Sequence, residues 1–208
     1  MGWQGIRILA NLFRDLIAFL VSQGHIANSD ANMVFQYTIY GTLFVILMGI
    51  TSIYIPKLFK SFTKKEALWG IVVCVAVLAF DIFWGNISRI LGATINENQD
   101  NINEITKVNV PLSILFLAII GPMCEELTYR VGLFNFTRRI NRVLGYVFVS
   151  IIFGLIHLHD YKSLNEWLSF PSYAFAGLAF AYAYEKWGLG ASFLAHFLVN
   201  FLAIMLNS

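Results

Sequence analysis

Apolar stretches of membrane-spanning length recur along this chain and limit what it can fold into. Six of them are separated by short polar segments: residues 33–55, 67–84, 110–136, 143–158, 167–184 and 187–206. A helix of about 20 mostly apolar residues can cross the hydrocarbon core of a bilayer, which is about 30 Å thick. The sequence therefore predicts an all-α fold, a polytopic membrane helical bundle with about six transmembrane helices.

Composition supports this class. Hydrophobic residues make up 58% of the chain and charged residues only 12%, whereas soluble domains average about 25% charged residues. No internal repeat or second domain is evident, so residues 1–208 are predicted to form a single transmembrane domain. The expected surroundings are a lipid bilayer, with no nucleic acid as a partner. Cys74 and Cys124 both fall in apolar runs and are predicted to be small buried residues rather than a disulfide.

Residues 3–22 have a different pattern from the six stretches. Apolar side chains recur there at helical spacing, at Ile6, Leu9, Phe13, Leu16, Ile17 and Leu20. The polar side chains lie mostly opposite, at Gln4, Arg7, Asn11, Arg14 and Asp15. This pattern is typical of an amphipathic helix in the membrane interface. A weak additional span, with Arg14 paired to Asp15, is the alternative.

Basic residues are concentrated in alternate connections, and this distribution predicts the orientation of the chain in the membrane. They cluster after the first and third stretches, at Lys57, Lys60, Lys64 and Lys65, and at Arg138, Arg139 and Arg142. Cytoplasmic loops carry an excess of Lys and Arg, so these two connections are predicted to be cytoplasmic. The acidic segment 96–104 is predicted to be an external loop. The short chain and small loops favour a bacterial plasma membrane.

One charged cluster interrupts the third apolar stretch. Glu125, Glu126 and Arg130 follow the uncharged run 112–123. Ionised groups at membrane depth cost at least a few kcal/mol each, so such a cluster indicates function. Glu126 and Arg130 are four residues apart and share a helix face, which predicts an ion pair between them. Glu125 lies about 100° around the helix and is left as the free carboxylate.

Two later stretches carry polar side chains at a similar depth. His157 lies on the fourth, and His196 and Asn200 lie four residues apart on the sixth. Counting at 1.5 Å per residue from the basic residue at each cytoplasmic end places Glu125, His157 and His196 about 15–22 Å into the membrane. A carboxylate and two imidazoles are therefore predicted to reach one level near the middle of the bilayer.

These residues form three ordered motifs: Glu125-Glu126-x-x-x-Arg130, Phe153-x-x-x-His157 and His196-x-x-x-Asn200. The set resembles the motifs of the CAAX-protease and bacteriocin-processing family of intramembrane endopeptidases. The resemblance covers a core of about residues 110–206 and implies an intramembrane protease of the CAAX type. The implied substrate is a membrane-embedded or lipidated peptide or protein, either a CAAX protein or a peptide precursor with a leader.

The resemblance also implies a role for each motif residue. Glu125, assisted by His157, would activate a water for attack on a peptide carbonyl. His196 and Asn200 would stabilise the resulting oxyanion. Glu126, Arg130 and Phe153 would support the site.

Alternatives remain open. Glu125, His157 and His196 form a set that could bind a catalytic zinc ion. Metal-free catalysis with no cofactor is favoured, because the sequence has no His-Glu-x-x-His array and Asn200 is a poor zinc ligand. A non-catalytic membrane immunity protein or signalling scaffold of the same family is the alternative function, and a small proton relay is a third. Asp81 is predicted to be interfacial rather than catalytic, and His25 and His159 to be loop residues.

Overall fold

The computed structural model describes residues 2–59 and 62–207, with side chains from residue 11 to residue 206. Eight helices account for most of these residues, and the described ranges contain no β-strand. The helices are α1 Gly2–Ser22, α2 Ala31–Tyr54, α3 Lys64–Ile90, α4 Glu97–Val108, α5 Val110–Thr137, α6 Arg142–Ile156, α7 Leu164–Trp187 and α8 Leu189–Asn207. Short 3₁₀ turns, Asn28–Asp30 and Pro56–Phe59, flank α2. The predicted all-α fold is confirmed.

Four of the described helices are long and apolar enough to cross a bilayer. They are α2, α3, α5 and α8. The fourth predicted stretch is the shorter α6, of 15 residues, and the fifth is α7, of 24 residues, which includes Glu166, Pro171 and Glu185. The chain is therefore an integral membrane protein in which α6 and α7 complete the bundle.

Helix α1 lies against α2 and presents apolar side chains outward. Leu12, Leu16 and Phe19 are exposed, as expected of a face in contact with lipid. The guanidinium of Arg14 lies 5.6 Å from the centre of the Phe35 ring on α2. The side chains of residues 3–10, on which the amphipathic pattern also depends, lie outside the described residues, and so does Lys60 of the predicted lysine cluster.

Small residues bring α3, α6, α7 and α8 close together. The largest apolar cluster of the bundle contains Val73, Cys74, Val77, Phe153, Ala176, Phe180, Ala183, Ala191 and Ala195. A Cβ atom on Gly177 would lie 2.8 Å from Cβ of Phe153, and one on Gly154 would lie 2.6 Å from Cε2 of Phe170. Close backbone approach at small residues is the usual basis of helix packing in membranes.

The acidic segment 96–104 belongs to a helix, so its prediction as a loop is wrong. The side chain of Asn96 caps α4, because its Oδ1 accepts the Gln99 N–H at 2.8 Å. Ile105 and Thr106 are buried, and Ile105 packs in a cluster with Leu117 of α5 and Ile204 of α8. The charged residues of α4, Glu97, Asp100, Glu104 and Lys107, are exposed, and its one apolar stripe is too short to stand out in the sequence.

A buried carboxylate fixes α4 to the α6–α7 connection. Glu166, at the start of α7, is only 3% exposed. Its Oε1 accepts the N–H of Glu97 at 2.8 Å and its Oε2 accepts the N–H of His159 at 3.0 Å. Sequence reasoning did not identify this residue, since a glutamate near a helix start is usually an exposed capping group.

We predict that Glu166→Gln destabilises the protein by about 1–3 kcal/mol, because the amide NH₂ faces a backbone N–H that loses its acceptor. The free energy of unfolding in detergent micelles measures this loss. Glu104→Gln is the matched control, because Glu104 on α4 is exposed. Equal stability of the two variants would contradict the structural role of Glu166.

Candidate active site

Helix α5 departs from regular α-helical bonding on both sides of the motif. Ile114–Ile120 and Glu126–Phe134 have π-helical i→i+5 hydrogen bonding, and Gly121–Glu125 between them is α-helical. Pro122 has no N–H to continue the ladder of hydrogen bonds. Insertions of π-helix occur frequently at functional sites. The irregular backbone sets the direction of the charged side chains of α5.

Glu126 is completely buried and contacts side chains of its own helix, α5, and of α8. Its Oε2 lies 3.4 Å from Nε of Arg130, which matches the predicted ion pair. The same oxygen accepts a hydrogen bond from the Ser192 hydroxyl. Its Oε1 lies 3.0 Å from Nδ1 of His196. The sequence predicted the contact with Arg130, but neither contact with α8.

Arg130 is also without solvent exposure. Its Cζ lies 4.6 Å from the centre of the Phe153 ring and 5.5 Å from that of Phe180. Aromatic faces attract a guanidinium, and the attraction is larger where water is excluded. Phe153 therefore stabilises the buried cation, in line with the supporting place predicted for it.

Glu125 points to a different side of α5 and is 19% exposed. Its Oε2 lies 3.7 Å from Nε2 of His196. Because Nδ1 of His196 faces the carboxylate of Glu126, Nδ1 carries a proton. At 3.7 Å, Nε2 of His196 and Oε2 of Glu125 are too far apart for a direct hydrogen bond. Oε2 of Glu125 has no hydrogen-bond partner among the described residues, so it can accept one from a bound molecule.

His157 follows the last residue of α6. Its Nδ1 lies 2.7 Å from the carbonyl oxygen of Phe153 and its ring stacks on Tyr173, with centroids 4.4 Å apart. A carbonyl oxygen only accepts, so Nδ1 carries the proton, and the neutral ring presents the lone pair of Nε2. His157 can therefore accept a proton from a bound molecule.

Asn200 lies on α8, one turn beyond His196. Its Nδ2 donates to the carbonyl oxygen of Leu117, in the first π-helical segment, at 2.9 Å. An amide nitrogen has two hydrogens, so one N–H of Asn200 is used in the fold and a second can serve a ligand.

All four predicted catalytic residues line one cavity of about 740 Å³: Glu125, His157, His196 and Asn200. Asp81 lines the same cavity and hydrogen-bonds to Ser172, and its place near the membrane interface stays a prediction. Position along α3 gives the height of Asp81, but only the packing of the other helices shows the cavity beside it. His159 lies in the α6–α7 connection, as predicted, and also contributes to the lining.

A metal site would require several ligating side chains grouped around one point. Among residues 2–59 and 62–207, no three His, Cys, Asp or Glu side chains are grouped so that they could hold one metal ion. The three residues of the alternative zinc set, Glu125, His157 and His196, all line the cavity. Cys74 and Cys124 are both free and buried, as predicted.

A comparison with protein families covers the part of the chain that holds this site. Residues 107–202 match the model described as type II CAAX prenyl endopeptidase Rce1-like. The resemblance to the CAAX-protease family is confirmed. The matched CAAX-protease region contains all three motifs and runs from the end of α4 into α8.

Two curated proteins are similar over a longer part of the chain. An uncharacterised protein of Mycoplasma capricolum is 29% identical over 170 residues, covering 73% of this chain and 47% of its own length. The UPF0177 protein YvdC of Lactococcus lactis is 24% identical over 171 residues, covering 81% of this chain and 63% of its own length. The chain thus spans less than two thirds of either relative. No solved structure matches.

We predict that Arg130→Met destabilises the fold by about 3–5 kcal/mol, because it leaves the buried Glu126 carboxylate without its cation. The double variant Glu126→Gln/Arg130→Met should recover part of this loss, since it buries no charge. Chemical unfolding in detergent measures both variants. Arg142→Met is the control, because the Arg142–Glu185 pair lies at the protein surface. A double variant no more stable than Arg130→Met would contradict the ion-pair interpretation.

Proposed function

We propose that this protein is an intramembrane endopeptidase that hydrolyses a peptide bond in a membrane-associated or lipidated substrate. The observation that supports it most is the position of Glu125: a half-buried carboxylate 3.7 Å from the imidazole of His196, on the wall of a cavity within the membrane-spanning helices. The family match over residues 107–202 supports the same reaction class.

In the proposed reaction a water molecule binds between Glu125 and His157. Glu125 removes one proton as the water oxygen bonds to the peptide carbonyl carbon. The carbonyl oxygen becomes an oxyanion, the C–N bond then breaks, and the proton passes to the leaving amine. The second proton of the water also passes to the amine, so the products are a carboxylate and an ammonium group, and atoms and charge balance without any other reactant.

Two donors on α8 are proposed to stabilise the oxyanion. His196 contributes its Nε2 proton, and Asn200 the N–H that is not bonded to Leu117. One such donor is worth about 3–4 kcal/mol in the transition state. Glu126 orients His196 through Nδ1, as a carboxylate orients the histidine in other hydrolases.

The proposed surroundings are a bacterial plasma membrane, since both similar curated proteins come from bacteria. The apolar part of the cavity wall can contact a hydrophobic segment or lipid group of the substrate, through side chains such as Val77, Ile105 and Leu117. CAAX proteins and peptide precursors with leaders both have this chemistry.

We predict that Glu125→Gln abolishes substrate cleavage and leaves expression unchanged, because an amide cannot accept the proton from water. Quantitative mass spectrometry of membrane peptides from cells with wild-type or variant protein measures the difference. Glu104→Gln is the control, since Glu104 is exposed on α4. Normal cleavage by Glu125→Gln would contradict the role of Glu125 as the base. A phenotype retained by Glu125→Gln in the absence of cleavage would favour the non-catalytic immunity or scaffold function.

We further propose that catalysis needs no metal ion. Cleavage by the purified protein should therefore persist after exhaustive treatment with phenanthroline. Loss of cleavage that only zinc restores would instead assign Glu125, His157 and His196 as metal ligands. Untreated protein and Glu125→Gln define full and zero activity in this assay.

A further inference from the structure

The two ends of the helical bundle carry opposite charge. We call the end formed by the α2–α3, α5–α6 and α7–α8 connections the basic end. Among the described residues, seven cations lie there, against the two acidic residues Glu66 and Glu185. The cations are Lys57, Lys64, Lys65, Arg138, Arg139, Arg142 and Lys186. Contacts hold these connections together, since Arg138 and Arg142 pair with Glu185 and the glycines after α7 pack on Glu66.

The opposite end, which we call the acidic end, comprises α4 and the α1–α2, α3–α4 and α6–α7 connections. Six acidic residues lie there: Asp30, Glu97, Asp100, Glu104, Asp160 and Glu166. The cations there are Arg89, Lys107 and Lys162. An excess of Lys and Arg marks cytoplasmic loops, so the basic end lies in the cytoplasm and the acidic end outside it.

The cavity extends from Glu125 to the acidic end. Its outer lining comes from the α3–α4 connection, α4 and the α6–α7 connection: Thr94, Asn96, Asn98, Gln99, Asn101, His159 and Asn165. Within the described part of the chain, none of the lining residues belongs to a connection of the basic end.

Packed side chains close the cavity toward the basic end. Phe153 and Phe180 form its floor, and the fully buried Glu126 and Arg130 lie against them. A further layer on the cytoplasmic side of these residues is also without exposure, at Phe134, Val149 and Ala181. A polypeptide cannot reach Glu125 through these layers without unfolding them.

Polar side chains lie among apolar ones on the wall between Glu125 and the opening. Asp81 and Ser172 lie along it, and Tyr173 covers His157. The Tyr173 hydroxyl accepts hydrogen bonds from Nδ2 of Asn98 at 3.1 Å and of Asn96 at 3.3 Å. Water and the amides of a peptide backbone can pair with such groups along the whole path.

We propose that the cavity is loaded from the extracytoplasmic side, and that its substrate is a peptide segment on that side of the membrane. Exported peptides and external tails of membrane proteins fit this class, whereas cytoplasmic prenylated proteins do not. The substrate class rests on the proposed endopeptidase function. The side on which the cavity opens rests on charge and packing alone.

Cysteine labelling tests the side independently of catalysis. Ile95→Cys places a thiol at the opening, and Ile140→Cys places one at the basic end; these side chains are 63% and 74% exposed. The native Cys74 and Cys124 are buried, so the wild type is the background control. A membrane-impermeant maleimide added to intact bacterial cells should label Ile95→Cys but not Ile140→Cys, with the reverse in inside-out vesicles. Labelling of Ile140→Cys in intact cells overturns the proposal.

Peptide mapping tests the substrate class. Cleavage sites that are present with the wild-type protein and absent with Glu125→Gln should fall in extracytoplasmic segments. Sites confined to cytoplasmic segments overturn the substrate class and leave the endopeptidase function standing. Membrane peptides identical in the two strains overturn both, even if labelling places the opening outside.

Discussion

Glu126 and Arg130 form an ion pair without solvent exposure. The other contacts of the site stabilise these two buried charges. The effective penalty for burying one ion is several kcal/mol, so neither charge can remain without the other. Ser192 and His196 from α8 bond the carboxylate, and Phe153 from α6 covers the guanidinium. These contacts fix α5, α6 and α8 in one register. The distance between His196 and Glu125 is a consequence of that register.

The second histidine is fixed from the opposite end of the bundle. A backbone carbonyl holds Nδ1 of His157, and Tyr173 covers its face. Tyr173 is itself bonded to amides at the start of α4, and Glu166 holds that helix start to the connection that follows His157. Both imidazoles therefore have their Nδ1 atoms bonded within the fold and their Nε2 atoms left for chemistry. Glu125 is the least constrained member of the set.

The sequence predicts those parts of this protein that depend on single helices. Helix boundaries, the Glu126–Arg130 pair and the equal depth of the motif residues follow from hydropathy, spacing and rise per residue. Contacts between helices that are distant in the sequence cannot be predicted in this way. Periodicity shows which face of a helix is buried, but not which other helix packs on that face. Ser192 lies four residues before His196 and so shares its helix face, yet the bond of Ser192 to Glu126 does not follow from that spacing. The position of Asp81 beside the cavity could not be predicted for the same reason. Helix α4 was missed because its apolar stripe has hardly more than one turn.

Hydrolysis inside a membrane requires water at the site but no continuous water path across the bilayer. A cavity that opens at one end only meets both conditions, since its lining runs from the acidic end to Glu125 and includes Phe153 and Phe180 at its floor. Arg130 lies against these two rings, so the ion pair that orders the helices also closes the cavity. An apolar plug could close the cavity equally well, but it could not orient His196. A buried charge pair does both, which is a physical reason to keep so costly an interaction at this depth.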